Sequence, residues 1–245
     1  MIRRRESAGV RSLWDAYLAL GRAQRTSKKL PPDASPEMIE AKVTNPGLLR
    51  SLGVPDLLVR ACHDAELACN LLDTFYETGR HKFLSRADEA YQSFLKKTPA
   101  GSQAAMRTIM AFGFPYFQME QYFAQRIKEG DTFSQPEVIS YQMARCGDAL
   151  FYAELARVAG YTSPSIRTGI RLRQALWDLA DDIVDVEIDR QYVGANVLLM
   201  KPFEDRGRLS DLATMIHRET KTLELPRPLH EAIDFEYDRV LLLLK

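Results

Sequence analysis

Asp178-Leu-Ala-Asp181-Asp182-Ile-Val-Asp185-Val-Glu187-Ile-Asp189 is the stretch on which the reading of the fold turns. Wound as an α-helix at about 100° per residue, it gathers Asp178, Asp181, Asp182, Asp185 and Asp189 into an arc of about 100°. Like charges four residues apart repel, so a plain structural helix gains nothing from this stacking. Leu176, Trp177, Leu179, Ala180, Ile183, Val184, Val186 and Ile188 fill the rest of the circumference, broken only by Glu187. A helix apolar over so wide an arc is expected to be packed on most sides. Its acidic stripe then faces an interior cavity, where carboxylates persist only if a cation compensates them. Hard divalent ions such as Mg²⁺ take oxygen ligands of this kind. The plainer alternative is a charged face turned to solvent, and the apolar flanks argue against it.

The surrounding sequence is helical in its punctuation. Ser35-Pro36 and Ser163-Pro164 set a cap residue before proline at a first helical position, and Ser134-Gln-Pro-Glu137 reads as a capping box. Pro55 opens a helix that stops at Gly79. The pattern predicts helices near 5–26, 36–44, 55–78, 84–97, 102–128, 135–159, 164–190, 208–222 and 228–243, with 29–36 as a surface loop. Period-two alternation is nearly absent, so strands are not expected. One all-α domain over 1–245, with an N-terminal helix and loop over 1–34, is the simplest account.

Bulk properties narrow the function. The 245 residues carry 33 basic and 33 acidic side chains, for a formal net charge of zero, which argues against non-specific nucleic-acid binding. The three cysteines, Cys62, Cys69 and Cys146, form neither a metal spacing nor an even disulfide set. A cytoplasmic, soluble protein is therefore expected, with neither a signal peptide after Arg3-Arg4-Arg5 nor a membrane span. Gly-rich phosphate loops of the GxGxxG and GxxxxGK[ST] kinds are absent, as is any i,i+4 histidine pair. A homodimer is the default assembly.

Three further features accompany the acidic run. On helix 55–78, Glu66, Asn70, Asp73 and Glu77 share an arc of roughly 60° opposite an apolar face. The stripe reads either as the exposed side of an amphipathic helix or as the second wall of a metal cage. Arg145 sits on a mostly apolar helix just before Gly147, poised either to fork onto a diphosphate or to pair with Asp148 or the acidic stripe. Arg126, Lys128, Arg190 and Lys201 are further candidates for phosphate contacts. Phe112, Phe114, Tyr116, Phe117, Tyr122 and Phe123 flank Pro115, which should kink or break helix 102–128. These aromatics are either core filler or the lining of a pocket that steers a carbocation.

Together these residues resemble the class I isoprenoid synthases, the family of terpene cyclases and trans-prenyltransferases. Asp181-Asp182-Ile-Val-Asp185-Val-Glu-Ile-Asp189 is similar to the second metal motif of bacterial terpene synthases and to the second DDxxD motif of prenyltransferases. Asp73-Thr74-Phe75-Tyr76-Glu77 resembles the first motif, with Thr74 in place of its second aspartate. Val193-Gly-Ala-Asn196 and the following Arg206-Gly-Arg-Leu-Ser are similar to the segment and helix after the second motif. Arg145 resembles the diphosphate-sensing arginine, whereas the C-terminal Arg-Tyr pair is replaced by Tyr237-Asp-Arg239. The resemblance implies a helical bundle around a central apolar pocket and up to three Mg²⁺ held by Asp73, Glu77, Asp181, Asp182, Asp185 and Asp189. It further implies that Arg145, Arg190, Lys128 and Asn196 bind the diphosphate, and that Arg145, Asp181 and Asp185 carry the catalysis. The activity it implies is ionisation of a prenyl diphosphate followed by cyclisation or quenching. Transfer to an acceptor is the first alternative, and a non-catalytic helical partner protein the second.

Overall fold

The computed structural model describes residues 43–192 and 195–245, without the side chains of 76–78, 112–114, 117, 188, 191 and 192. The helices expected at 5–26 and 36–44, the loop at 29–36 and the glycine of the 193–196 segment lie outside the described residues, save for 43 and 44. What is described is helical: α1 (Asn45–Ser51), α2 (Asp56–Thr78), α3 (His81–Lys97), α4 (Gln103–Glu129), α5 (Gln135–Arg145), α6 (Ala149–Val158), α7 (Pro164–Tyr192), α8 (Arg206–Thr220) and α9 (Arg227–Leu243). Among the described residues there is no strand. One isolated bridge joins Thr132 to Lys201, where the Phe133 N–H donates to the Lys201 carbonyl at 2.7 Å.

The local signals act as their chemistry requires. Pro55 precedes α2, and Gly79 ends it in the left-handed conformation at φ 63°, its N–H donating to Phe75 O. Ser134 and Glu137 cap α5 reciprocally. On α3, Phe83, Leu84, Ala87, Ala90, Tyr91, Phe94 and Leu95 form one buried stripe, and this face lies along α2.

Three expectations are corrected. The 135–159 helix is two helices, because Arg145 ends α5 and the Asp148 carboxylate caps α6 by accepting from the Ala149 N–H at 2.7 Å. Helix α4 runs unbroken past Pro115; that residue is exposed, so the carbonyl it leaves without a donor lies on the wetter side of the helix. An unexpected helix, α1, begins at Asn45. Thr44 gives it no side-chain cap; instead the Glu66 carboxylate on α2 accepts the N–H groups of Thr44 (2.9 Å) and Asn45 (2.8 Å) and the Asn45 amide (3.1 Å). This is a helix N-terminus satisfied from a distant element.

Helix α7 is the centre of the arrangement: α5, α6, α8 and α9 all pack on it, and α6 also packs on α2. Its middle, 169–182, is enclosed, with Ile170, Ala175, Leu176, Leu179 and Ala180 fully buried. The last turns emerge, and Val184 is 56% exposed. The expectation of a helix packed on most sides therefore holds up to about Asp182 and fails beyond it.

Candidate functional site

The acidic stripe of α7 divides by depth. Asp178 and Asp182, one turn apart, are buried, whereas Asp181, Asp185 and Asp189 are half-buried. Charges this deep need partners, and α5 supplies the principal one. Arg145 Nη1 donates to Asp182 Oδ1 at 2.7 Å, with the guanidinium 5.5 Å from the Tyr141 ring centroid. Asp182 Oδ2 accepts the Val197 N–H at 2.9 Å. Asp178 accepts from the Gln174 amide at 2.9 Å and from the Cys146 thiol at 3.7 Å.

These bonds do not compensate burial. Desolvation pushes the Asp178 carboxyl up to about 7; Arg145 and Gln174 pull it down, while Asp148 and Asp181 push it further up. Desolvation likewise raises Asp182 to about 6 against the pull of Arg145 and the Val197 N–H. Burial also raises Asp148, whose carboxylate accepts the Tyr152 hydroxyl at 3.0 Å, and Glu66. Two buried acids of α7, Asp178 and Asp182, thus act on the one guanidinium of Arg145, and burial favours the protonated form of both.

Helices α4 and α2 reach the same region. Burial drives the Tyr116 hydroxyl far above its ordinary range, and the groups that act on it next are Glu120, Tyr141, Arg145 and Asp73. One hydroxyl on α4 therefore lies within the field of Arg145 on α5 and of Asp73 on α2. Asp73 is half-buried, and the Glu77 side chain lies outside the described set. Thr74 is buried and donates to the Asn70 carbonyl at 2.8 Å, turned onto its own helix. Of the aromatics beside Pro115, Phe123 stacks between Phe133 and Tyr141 as core, Tyr122 is exposed, and the rings of Phe112, Phe114 and Phe117 are not described.

Several residues expected to meet a diphosphate are placed elsewhere. Arg126 donates to Asp131 (2.9 Å), Glu137 (2.6 Å) and the Thr132 carbonyl (3.0 Å), and lies over the Phe133 ring. It clamps the α4–α5 turn. The Glu137 carboxyl is accordingly held down to about 2, first by Ser134 and then by Arg126. Arg190 is 60% exposed and pairs with Glu187 one turn earlier, and Lys128 and Lys201 are exposed. Asn196 is fully buried; its amide donates to the Asp182 carbonyl and to Asp189 Oδ2, both at 2.8 Å, and its carbonyl accepts the Leu198 N–H. All its polar atoms serve the turn after α7, so it has no group left for a phosphate. Asp182, expected among the metal ligands, has both oxygens engaged by Arg145 and Val197. Tyr237 stacks on His217 of α8, and Arg239 pairs with Glu236 on its own helix.

Asp178 belongs to the acidic stripe but to none of the ligand positions the resemblance implies, and Gln174 and Cys146 carry no such signal in the sequence. Asp178 stands one turn before Asp182 on the same row, and that spacing was the available signal. Among the described residues no three His, Cys, Asp or Glu side chains stand close enough to form a ready metal cage. The donors are nonetheless of one kind, carboxylate oxygens, as a hard divalent cation requires. No helix of the described residues is long and apolar enough to cross a membrane. No protein-family model, no curated protein and no solved structure matches the chain.

Proposed function

We propose that the chain is a class I isoprenoid synthase of the terpene-synthase kind, which ionises a prenyl diphosphate and cyclises or quenches the allylic cation. The observation that carries this reading is the guanidinium of Arg145, only 16% exposed, set against the buried aspartates Asp178 and Asp182 of α7. Arg145 offers a planar fork matched to phosphate oxygens, in surroundings where each charge–charge contact is worth more than in water. Mg²⁺ held by Asp73, Asp181 and Asp185, with Asp189 and Glu77 as further donors, would neutralise the charge gathering on the departing diphosphate. Arg145 opposes the same charge from the α5 side. The Tyr141 ring lies 5.5 Å from the arginine, and such a ring face favours a cation over an anion.

A second reading, a non-catalytic helical partner protein, draws on Thr74. Where the resemblance calls for the second aspartate of the first motif, this side chain donates to the Asn70 carbonyl of its own helix.

The test is diphosphate release with Mg²⁺ and geranyl, farnesyl or geranylgeranyl diphosphate. Release without any acceptor is expected with at least one of them, and Asp185→Ala should lower kcat by about 100-fold or more. Release only when an acceptor is added would make the chain a prenyltransferase. No release under either condition would leave the non-catalytic reading.

A further inference from the structure

The Arg145–Asp182 pair is a contact between two groups that the proposed chemistry would need apart. Asp182 is pinned independently of the arginine. Its Oδ2 accepts the Val197 N–H, its backbone carbonyl accepts the Asn196 amide, and its side chain is 97% enclosed. Arg145, by contrast, is the last residue of α5. Beyond it the helix gives way to a turn closed by the Gly147 N–H on the Ala144 carbonyl at 3.1 Å. Of the two partners, the aspartate is the one held in place by bonds from elsewhere in the fold.

A carboxylate oxygen offers a guanidinium N–H the same charged acceptor that a phosphate oxygen offers, and here Asp182 gives Oδ1 to Nη1 of Arg145. We propose that Asp182 is a built-in competitor for Arg145: its Oδ1 holds the Nη1 donor that a diphosphate oxygen would take, and the ligand gains that donor only by displacing the carboxylate. This rests on the reading that Arg145 meets a diphosphate, and it adds a filter to it. A ligand of low charge does not outbid a carboxylate already in place. A diphosphate brings several charges and attracts a divalent cation to the acids left behind. The site is thereby closed to singly charged phosphates and opened by the diphosphate itself.

The probe is inorganic diphosphate, titrated calorimetrically with Mg²⁺ into the wild-type chain and Asp182→Asn. Asparagine keeps an acceptor oxygen for the Val197 N–H and removes the competing charge. Asp182→Asn is expected to bind diphosphate about tenfold more tightly and to gain measurable affinity for inorganic phosphate. Equal or weaker binding by Asp182→Asn, with the wild type binding, overturns the competition and leaves the Arg145 reading intact. No binding by either chain overturns both. A second measurement needs no variant at Asp182: the side-chain ¹⁵N resonances of Arg145, assigned by their loss in Arg145→Lys, must move when diphosphate saturates the wild type. Unmoved resonances in the saturated protein also overturn the proposal.

Discussion

Asp178→Asn is expected to make the protein more stable at pH 8, by about 1–3 kcal/mol, and to leave it no more stable than wild type at pH 4. The carboxyl is buried and raised to about 7, so the folded chain holds a proton there that the unfolded chain, with an ordinary pKa near 4, has released. Between pH 4 and 7 the folded state binds more protons, and stability therefore falls as the pH rises. The full cost of ionising such a group is on the order of 4 kcal/mol. Part of that survives in the variant as lost attraction to Arg145, which reduces the visible gain. Asparagine retains an acceptor for Gln174, so the geometry need not change. Chemical denaturation of both chains at pH 4 and pH 8 measures the effect, and a loss of more than about 1 kcal/mol at pH 8 would contradict it. Asp182, raised to about 6, should add to the same wild-type slope over a lower window, from about pH 4 to 6. An acid kept where an amide is more stable is the kind of residue retained for its charge.

Arg173→Ala is expected to be the most damaging single change outside the site, costing about 3–5 kcal/mol. Arg173 donates to Glu236 on α9 at 2.7 Å and to Asn45 Oδ1 on α1 at 2.6 Å. The arginine and glutamate side chains are only 9% and 3% exposed. Deleting the arginine leaves Glu236 in the interior with Arg239 alone, at 3.4 Å, and releases Asn45 from the polar knot that starts α1. Since domains are typically stable by only about 5–15 kcal/mol, the loss should lower the melting temperature by roughly 10 °C. Removing both charges, in Arg173→Met with Glu236→Leu, should recover much of it, because no buried charge is then stranded. A shift of under 2 °C in the single variant would show that the pair is a bystander.

These two sites also mark where reading the sequence succeeds and where it stops. Capping chemistry is local: Ser134 with Glu137, Pro55 and Gly79 announce helix ends by residues within a turn of them, and the structure places those ends there. Helix α1 was invisible because its cap, Glu66, comes 21 residues after Asn45 and acts through space. Glu66, expected either on an exposed amphipathic face or in a cage wall, is instead buried and spent on the start of α1. The angular pattern on α2 says which residues share a face, not which neighbour that face meets. On α7 the same limit appears as depth. A helical wheel places five aspartates on one side, and only packing against α5 and α6 separates the enclosed Asp178 and Asp182 from the half-buried Asp181, Asp185 and Asp189. Arg145 was read as either a phosphate fork or a partner of the acidic stripe, and the structure records the second of these. Arg126 and Asn196 show the opposite failure. Their side-chain chemistry suits a phosphate, yet the turns beside them take every polar atom.

The proposed function requires the acids of α7 to gather divalent cations once a diphosphate is present. Bound Mn²⁺, used in place of Mg²⁺ and counted by electron paramagnetic resonance with and without inorganic diphosphate, tests it most directly. The wild-type chain is expected to take up Mn²⁺ in a diphosphate-dependent manner, and Asp181→Ala with Asp185→Ala to lose that uptake. Mn²⁺ binding that ignores diphosphate, or that persists undiminished in the double variant, would contradict the account.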